Sequence, residues 1–371
     1  MSDINNIAYM FRIYPNKDQI IYFSKVFGCT RFVYNKMLAD KIEYYEKNKK
    51  MLKVTPASYK NEYSFLKEVD SLALSNVQLH LEAAFKKFFK ESHVGFPKFK
   101  SKKSSKQSYT TNNQNGTIYI KDGFIRLPKI GLVKVKQHRT IPNGYRLKSA
   151  TIVKEHDNTY YVSILFEYEN QVQEKETNSN EWKVLGLDYS MHELYIDSEG
   201  NEPSYPRYFR ASEAKLKKES RRLSKMKKGS SNFEKQKVKL AKLHAKIRHQ
   251  RKDFLHKESR RLSNEYDLIC IEDLNMKAMS SALNFGKSVA DNGWGMFTSF
   301  LEYKLKDQGK KLVKIDKWFA STQTCNVCGY KNTLVKKLSV REWTCPNCNS
   351  VHNRDINAAI NIKVEGMKVC A

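Results

Sequence analysis

The sequence predicts an α/β multidomain protein, and three observations predict it. Two short apolar runs, residues 184–187 and 268–271, each end on a carboxylate, Asp188 and Glu272. Two C-x2-C pairs, Cys325 with Cys328 and Cys345 with Cys348, are separated by sixteen residues. Residues 117–167 hold a succession of strand-like runs punctuated by Asp122-Gly123, Asn143-Gly144 and Asp157-Asn158. Buried strands alternating with helices, a strand-rich region upstream and a cysteine-built insert belong to different layers. At 371 residues the chain has room for two or three domains.

Charge narrows the partners. Lys and Arg total 67 against 39 Asp and Glu, a formal net charge of +28. Such an excess implies a polyanion, most simply nucleic acid. A ribosomal or architectural binder would fit the charge alone, but such chains are usually shorter. No apolar run approaches the ~20 residues that span a bilayer, and the opening residues lack a signal-peptide core. Cys29, Cys270 and Cys370 sit far from one another, as in a reducing compartment. The expectation is a soluble, cytoplasmic protein with no membrane partner.

Residues 7–14 alternate as a strand, stopped by Pro15 and Asn16, and a helical region runs on to about residue 50. Leu72, Val77, Leu81, Ala84, Phe85, Phe88 and Phe89 mark an amphipathic helix capped by Asp70 or Ser71, most of its aromatics facing a core. Residues 92–116 are basic, Ser/Asn-rich and interleaved with Phe96, Phe99 and Tyr109. Lysines there can neutralise phosphates while aromatics stack on bases, which suits a strand-binding loop as well as a solvated linker. The strands of 117–167 suggest a small barrel. The polar run 170–181 then reads as a linker.

Beyond it, residues 184–187 form a buried strand delivering Asp188, and Tyr195 and Ile196 begin a second strand. A carboxylate at a buried strand's end is costly unless it is paired or binds a metal. Residues 213–262 carry 19 Lys/Arg against 5 Asp/Glu, a net +14, and break once near Gly229. They read as a helical hairpin with one packed and one phosphate-tracking face. Residues 268–271 repeat the strand-and-acid arrangement with Glu272. Trp294 is a packing residue at the head of a helix, and residues 311–315 form a short strand leading into the cysteines.

Four thiolates at this spacing can surround one Zn2+ tetrahedrally, with Gly329 and the pair Pro346 and Asn347 suiting the knuckle turns. No coordination position is left open, so this zinc is structural. Asp355, seven residues after Cys348, heads a helical run in which Ile356, Ala359, Ile360 and Lys363 mark the inward face. Asp188, Glu272 and Asp355 converging at one sheet edge could hold Mg2+, two ions for the set. Such ions activate a water and stabilise the leaving oxygen in phosphodiester cleavage.

The segments GLDYS, IEDLNM and CNVCG…CPNC…HNRDINAAIN resemble the three RuvC-type motifs and the ribbon of the TnpB family, insertion-sequence-encoded relatives of type V CRISPR effectors. FRIYPNKDQ, GCTRFVYN, FPKF and RKDFLHK match that family's pattern too. The resemblance implies an RNase H-like RuvC domain with an inserted zinc ribbon, an N-terminal helical domain and a wedge-type β-barrel. By position these are a split wedge barrel (1–15 and 103–170), a helical recognition domain (16–102), a nuclease domain (171–320 and 350–371) and a nucleic-acid-binding ribbon (321–349).

The resemblance further implies an RNA-guided DNA endonuclease of a transposable element, its guide RNA coming from the transposon end. Its double-stranded DNA target would lie beside a short transposon-adjacent motif, and a separate transposase encoded nearby is a conceivable companion. Asp188, Glu272 and Asp355 become the catalytic, magnesium-binding acids, and Cys325, Cys328, Cys345 and Cys348 the zinc ligands. Reading of the adjacent motif falls near Ser75, Asn76, Thr111, Asn112, Asn113 and Gln114. Backbone contacts are expected from Lys98, Lys100, Lys102, Lys103, Arg221, Arg222 and Arg251. Asn353 and Tyr189 depart from the family pattern, which favours a second aspartate and a small or aliphatic residue. Three other readings compete: a DDE-type transposase, a nuclease-inactive RNA-guided repressor and a junction resolvase.

Overall fold

A computed structural model describes residues 3–103, 107–170, 182–282, 286–337 and 339–370. The chain divides into two compact units, Met1–Gln171 and Val172–Ala371. The expected linker lies outside the described residues from 171 to 181.

In the first unit, β1 (Asp3–Tyr14), β2 (Gln107–Asn112), β3 (Tyr119–Lys121), β4 (Phe124–Leu127), β5 (Gly131–Lys136), β6 (Arg146–Lys154) and β7 (Tyr160–Asn170) form one sheet. Its order is β2-β6-β7-β1-β5-β4-β3, with antiparallel pairing throughout. Asp122 and Gly123 both take positive φ, 51° and 77°, and turn β3 into β4 through the two-residue loop expected of that pair. Helix α1 (Lys17–Asn48) opens with a reciprocal capping box between Asn16 and Gln19. After the short α2 (Tyr59–Glu62), α3 (Ser71–Lys90) is capped by Asp70, whose carboxylate accepts from the Leu72 N–H. Phe11 and Ile13 of the sheet share one core with Phe23 and Met37 of α1 and Leu74 and Leu81 of α3.

Two expectations are corrected here. Residues 107–112 are not loop but the edge strand β2, paired along β6 and turning Tyr109 and Thr111 inward. Of the aromatics on α3, Phe85 is buried, whereas Phe89 is 69% exposed. It stacks on Phe85 near the helix end, with Lys86, Lys87 and Lys90 around it in sequence.

The second unit is built on β8 (Val184–Ser190), β9 (Leu194–Asp197), β10 (Leu268–Glu272) and β11 (Lys311–Ile315), in the order β11-β10-β8-β9. β8, β10 and β11 run parallel and β9 antiparallel. Helices α4 (Tyr208–Ser224), α5 (Ser231–Glu265), α6 (Met276–Ala282), α7 (Gly286–Asn292) and α8 (Trp294–Lys306) intervene, and α9 (Arg354–Cys370) follows β12 (Glu342–Thr344) and β13 (Val351–Asn353). α4 and α5 are the expected basic hairpin, with the break at Gly229. Side chains alternate along a strand. Leu185, Leu187, Ile269 and Ile271 therefore join Leu255, Leu262, Phe297 and Leu301 on one face, with Trp294 fully packed among them. Val184, Leu268 and Cys270 face the other way and meet Ile362 of α9.

The inward stripe of α9 differs from the expected one. Ala358, Ala359, Ile362 and Gly366 are buried, while Ile356, Ile360 and Lys363 are only partly so. Small residues win the inner face because α9 lies very close to the sheet. A Cβ on Gly186 would fall 2.1 Å from the Ala359 carbonyl oxygen, and one on Gly366 would fall 2.3 Å from the Cys270 sulphur. Among the described residues, no helix is long and apolar enough to cross a membrane.

Candidate active site and metal centre

Strand parity places the first two acids. Leu187 and Ile271 are partners in the parallel register of β8 and β10, so Asp188 and Glu272 follow on adjacent strands, about 4.8 Å apart in backbone. Counting back by twos puts Asp188 on the face of Gly186 and Glu272 on the face of Cys270, which is the α9 face. Asp355 lies four residues before Ala359, seven before Ile362 and eleven before Gly366, the helical spacing of a single stripe. It is thus the first residue of the stripe that α9 lays on the sheet. Burial raises the Asp188 carboxyl well above its ordinary value, and the charges of Glu272 and Asp355 raise it further. Burial also raises Glu272, against a hydrogen bond donated by the Ser321 hydroxyl.

Asp355 has two cationic neighbours. Arg341 Nη1 reaches its Oδ2 at 2.7 Å, and Arg354 Nε lies 3.5 Å from its Oδ1. Arg354, with a side chain only 9% exposed, also donates through Nη1 to the Lys337 carbonyl at 3.2 Å. Asn357 and Asn361 of α9 donate to the Thr324 carbonyl at 2.8 and 2.6 Å, and Asn361 to that of Ser321 at 2.8 Å. Asn357 Oδ1 also accepts from the Asn326 N–H at 3.0 Å, so α9 holds the cysteine-bearing segment at Ser321, Thr324 and Asn326. Sequence reasoning missed Ser321, Arg341, Arg354, Asn357 and Asn361. The run NRDINAAIN held a signal, since Asn357 and Asn361 are one helical turn apart.

Both departures from the expected motifs have local explanations. Asn353 Oδ1 accepts from the N–H groups of Asp355 and Ile356 at 3.1 and 3.2 Å. It caps α9, a task that asparagine and aspartate perform about equally. Tyr189 points to the opposite face from Asp188, where it packs on Trp294 and accepts a hydrogen bond from Asn292 at 3.0 Å.

Cys325, Cys328, Cys345 and Cys348 bring their sulphurs within 4.8 Å of one another. Cys325–Cys348 and Cys328–Cys345 are both 3.6 Å apart. A tetrahedron with ~2.3 Å zinc–sulphur bonds has edges of about 3.8 Å, so the donor set fits zinc. The two knuckles repeat one design. The N–H groups of Gly329 and Asn349, both at positive φ, donate to the Cys325 and Cys345 carbonyls at 2.9 Å. The left-handed residue of the second knuckle is thus Asn349. His352 Nε2 lies 3.1 Å from the Cys325 sulphur. β13 pairs with β12, so the ribbon extends to Asn353.

Among the described residues, only the four cysteines bring three or more ligand atoms within 4.8 Å of one another; Asp188, Glu272 and Asp355 are alike in donor chemistry rather than in that closeness. Oxygen donors alone, partly buried and repelling one another at Asp188, suit a hard divalent cation. The lysines and arginines expected on nucleic acid divide into two groups. Lys98, Lys102, Lys103, Arg221 and Arg222 are exposed. Arg251 instead packs beside the turn at Gly293, its Nη1 3.4 Å from the Asp291 carbonyl. Lys100 is partly buried, its ammonium 4.0 Å over the Tyr34 ring.

The polar residues expected to read a flanking motif divide likewise. Ser75 and Gln114 are exposed. Thr111 is fully buried and donates to Asp70, and Asn76 is buried and donates to the Leu72 carbonyl at 2.9 Å and to Asn112 Oδ1 at 3.4 Å. Asn113 is spent on the Leu147 carbonyl and the Ile118 N–H. As folded, Thr111, Asn76 and Asn113 serve the interior.

Comparison with known proteins supports this picture. A family model described as "Probable transposase" matches residues 164–283, and one described as "Cas12f1-like, TNB domain" matches 294–362. A "Helix-turn-helix domain" model matches residues 1–50, where the structure has β1 followed by the single long helix α1. A Streptomyces pristinaespiralis protein, named as a proposed RNA-guided DNA endonuclease, is 33% identical over 98% of this chain and 90% of its own length. An Escherichia coli K12 protein named in the same way is 28% identical over 98% of this chain and 93% of its own length. A TnpB-like protein of Acanthamoeba polyphaga mimivirus is 31% identical over 35% of this chain and 25% of its own.

Among solved structures, a Cas12f1–sgRNA–target DNA complex matches with a TM-score of 0.61 at 12% identity, covering 93% of this chain and 83% of that one. The mini RNA-guided endonuclease CRISPR-Cas_phi3 matches with a TM-score of 0.51 at 10% identity, covering 98% and 92%. At such identities these two report a shared fold. The near-complete alignment at 33% identity settles descent: the chain belongs to the TnpB family.

Proposed function

We propose that this chain is an RNA-guided DNA endonuclease that hydrolyses phosphodiester bonds with Asp188, Glu272 and Asp355. The observation that carries the reading is the convergence of these acids on the α9 face of the sheet, where burial first, and then the charges of Glu272 and Asp355, raise the Asp188 carboxyl. Family membership and relatives named for this activity support it.

Each acid has a distinct support. Asp188 is held by the end of a buried strand, Glu272 by the next strand and by the Ser321 hydroxyl, and Asp355 by the capped start of α9. Magnesium bound by these oxygens would supply an activated water and neutralise charge on the leaving oxygen. The chain's own part is to hold three carboxylates oriented toward one place, so that a bound cation offsets the burial and mutual repulsion that raise Asp188. Ser321 favours the charged form of Glu272, and Arg341 forms an ion pair with Asp355. The four thiolates would hold a structural zinc that fixes the ribbon against α9. Lys98, Lys102, Lys103, Arg221 and Arg222 are positioned to neutralise phosphates. The seven-stranded sheet would act as the wedge, with Ser75 and Gln114 as exposed polar groups near the flanking duplex. Sequence itself would be read by guide pairing.

The test is plasmid cleavage by protein co-expressed with transposon-end RNA, on a matched target beside a randomised flank. Magnesium-dependent cutting beside one enriched motif is expected. Guide-dependent binding without cutting would instead indicate a repressor, and absence of bound RNA a conventional transposase.

A further inference from the structure

Trp318 is unlike the other three tryptophans. Trp294 and Trp343 are 3% and 7% exposed and Trp182 is partly buried, whereas Trp318 is 81% exposed. It nonetheless sits on a hydrogen-bonded turn. Its backbone N–H donates to Asp316 Oδ1 at 2.7 Å, and the next backbone N–H, that of Phe319, donates to the Asp316 carbonyl at 3.1 Å. Phe319 packs into the core beneath α9, and Ser321 is 3% exposed.

Both ends of this turn touch Glu272. Ile315 is the register partner of Glu272 on β11, and the Ser321 hydroxyl donates to the Glu272 carboxylate. Trp318 is therefore midway along an arch whose two feet stand beside one of the three acids. Three peptide steps separate it from each foot, so its Cα lies within about 11 Å of both. Lys314 and Lys317 are exposed on the same segment, and the Lys317 ammonium is 5.2 Å from the indole centroid. With Asp316 and Lys317 beside it, the indole stands among charges, whereas a protein-docking surface presents contiguous apolar area.

We propose that Trp318 is a base-stacking post at the mouth of the carboxylate site, holding an unpaired nucleobase of the strand to be cut. This inference rests on the nuclease reading of Asp188, Glu272 and Asp355. An indole offers its face to any unpaired base without regard to sequence, while neighbouring lysines take the phosphates. Such a post limits sliding of the strand, so that one phosphate stays near the acids. Trp318 is a positioning residue and takes no part in proton or bond exchange.

The experiment measures binding of the full-length protein to an oligothymidylate unmatched to any guide. It uses EDTA so that cleavage cannot intervene, and compares wild type with Trp318→Ala and Trp318→Phe. Trp318→Ala is expected to weaken binding by about 5- to 150-fold, the range for losing one stacked base, and Trp318→Phe to restore most of it. A single abasic position moved along the oligonucleotide should weaken wild type at one place and leave Trp318→Ala unaffected there. Equal affinity of Trp318→Ala and wild type overturns the proposal. So does a Phe variant as weak as Ala, or loss of self-association with DNA binding intact. The nuclease reading fails separately, through an absence of guide-dependent cutting with stacking intact.

Discussion

Gly186 of β8 lies directly beneath Ala359 of α9, so close that a Cβ on the glycine would fall 2.1 Å from the alanine's carbonyl oxygen. Two residues along the strand is Asp188, and four residues back along the helix is Asp355. The closeness that excludes a methyl group at one level is what brings two carboxylates together at the next.

Gly186→Ala should therefore damage the site without touching an acid. Overpacking of this kind costs about 1–3 kcal/mol, and relief requires α9 to lift away. Urea denaturation should show the loss of stability, and cleavage should fall further than the unfolded fraction accounts for. Full activity in the folded variant would mean that α9 does not set the position of Asp355.

Removing a carboxylate should separate binding from cutting. Asp188→Ala or Glu272→Gln is expected to lower cleavage by about 10²–10⁴-fold, the scale of several kcal/mol of lost charge stabilisation. Guide-dependent target binding, read by gel shift, should persist. Loss of both would make the acid structural.

The raised carboxyl of Asp188 gives a pH dependence with a definite sign. The folded chain keeps this proton to a higher pH than the unfolded chain does. Through that window the native state binds more protons, so metal-free stability falls as pH rises. Magnesium, which binds the ionised form, should stabilise little near pH ~4 and increasingly toward neutrality. At ~100 times its dissociation constant the gain is about 2.7 kcal/mol, several degrees in melting temperature. Asp188→Asn should melt higher than wild type without metal at neutral pH and show a diminished magnesium shift. A wild-type shift independent of pH would count against the cluster.

Arg341 competes with any cation for Asp355. Its guanidinium is 62% exposed, so the ion pair contributes no more than about 1 kcal/mol to stability. Arg341→Gln should leave the melting temperature nearly unchanged and tighten magnesium binding by up to roughly fivefold, as read by calorimetric titration. Weaker magnesium binding would assign Arg341 to supporting the site.

Cys345→Ser should abolish zinc in metal analysis of the purified protein. Zinc binding in such sites is folding free energy, about 10–16 kcal/mol in small zinc domains. Hydrogen exchange should accelerate across 322–353 while β8 and β10 stay protected. Slow exchange in a zinc-free ribbon would show that the thiols are not its staple.

Much of the site was legible because its residues break a pattern. An apolar strand ending in an acid is conspicuous, and it occurs twice; paired C-x2-C knuckles admit few other readings. The supporting residues broke no pattern. Ser321 and Arg341 are ordinary surface types in sequence, and only the fold brings them to Glu272 and Asp355. β2 was missed because Gln107–Asn112 contains a single large apolar residue, Tyr109, and its other inward position, Thr111, is satisfied by Asp70. The α9 stripe was misjudged because large residues usually mark a buried face, and here close approach selects glycine and alanine instead.

A ribosome that has delivered Asp188 and Glu272 has still to make the whole ribbon and the first turn of α9 before Asp355 exists. Domains fold as units, and the unit Val172–Ala371 is not closed until α9 has emerged to cover its sheet. A messenger broken or frameshifted anywhere in that interval yields a polypeptide with two of the three acids and a sheet that lacks its α9 cover. The chain order of the three acids thus ties completion of the proposed site to translation past the ribbon.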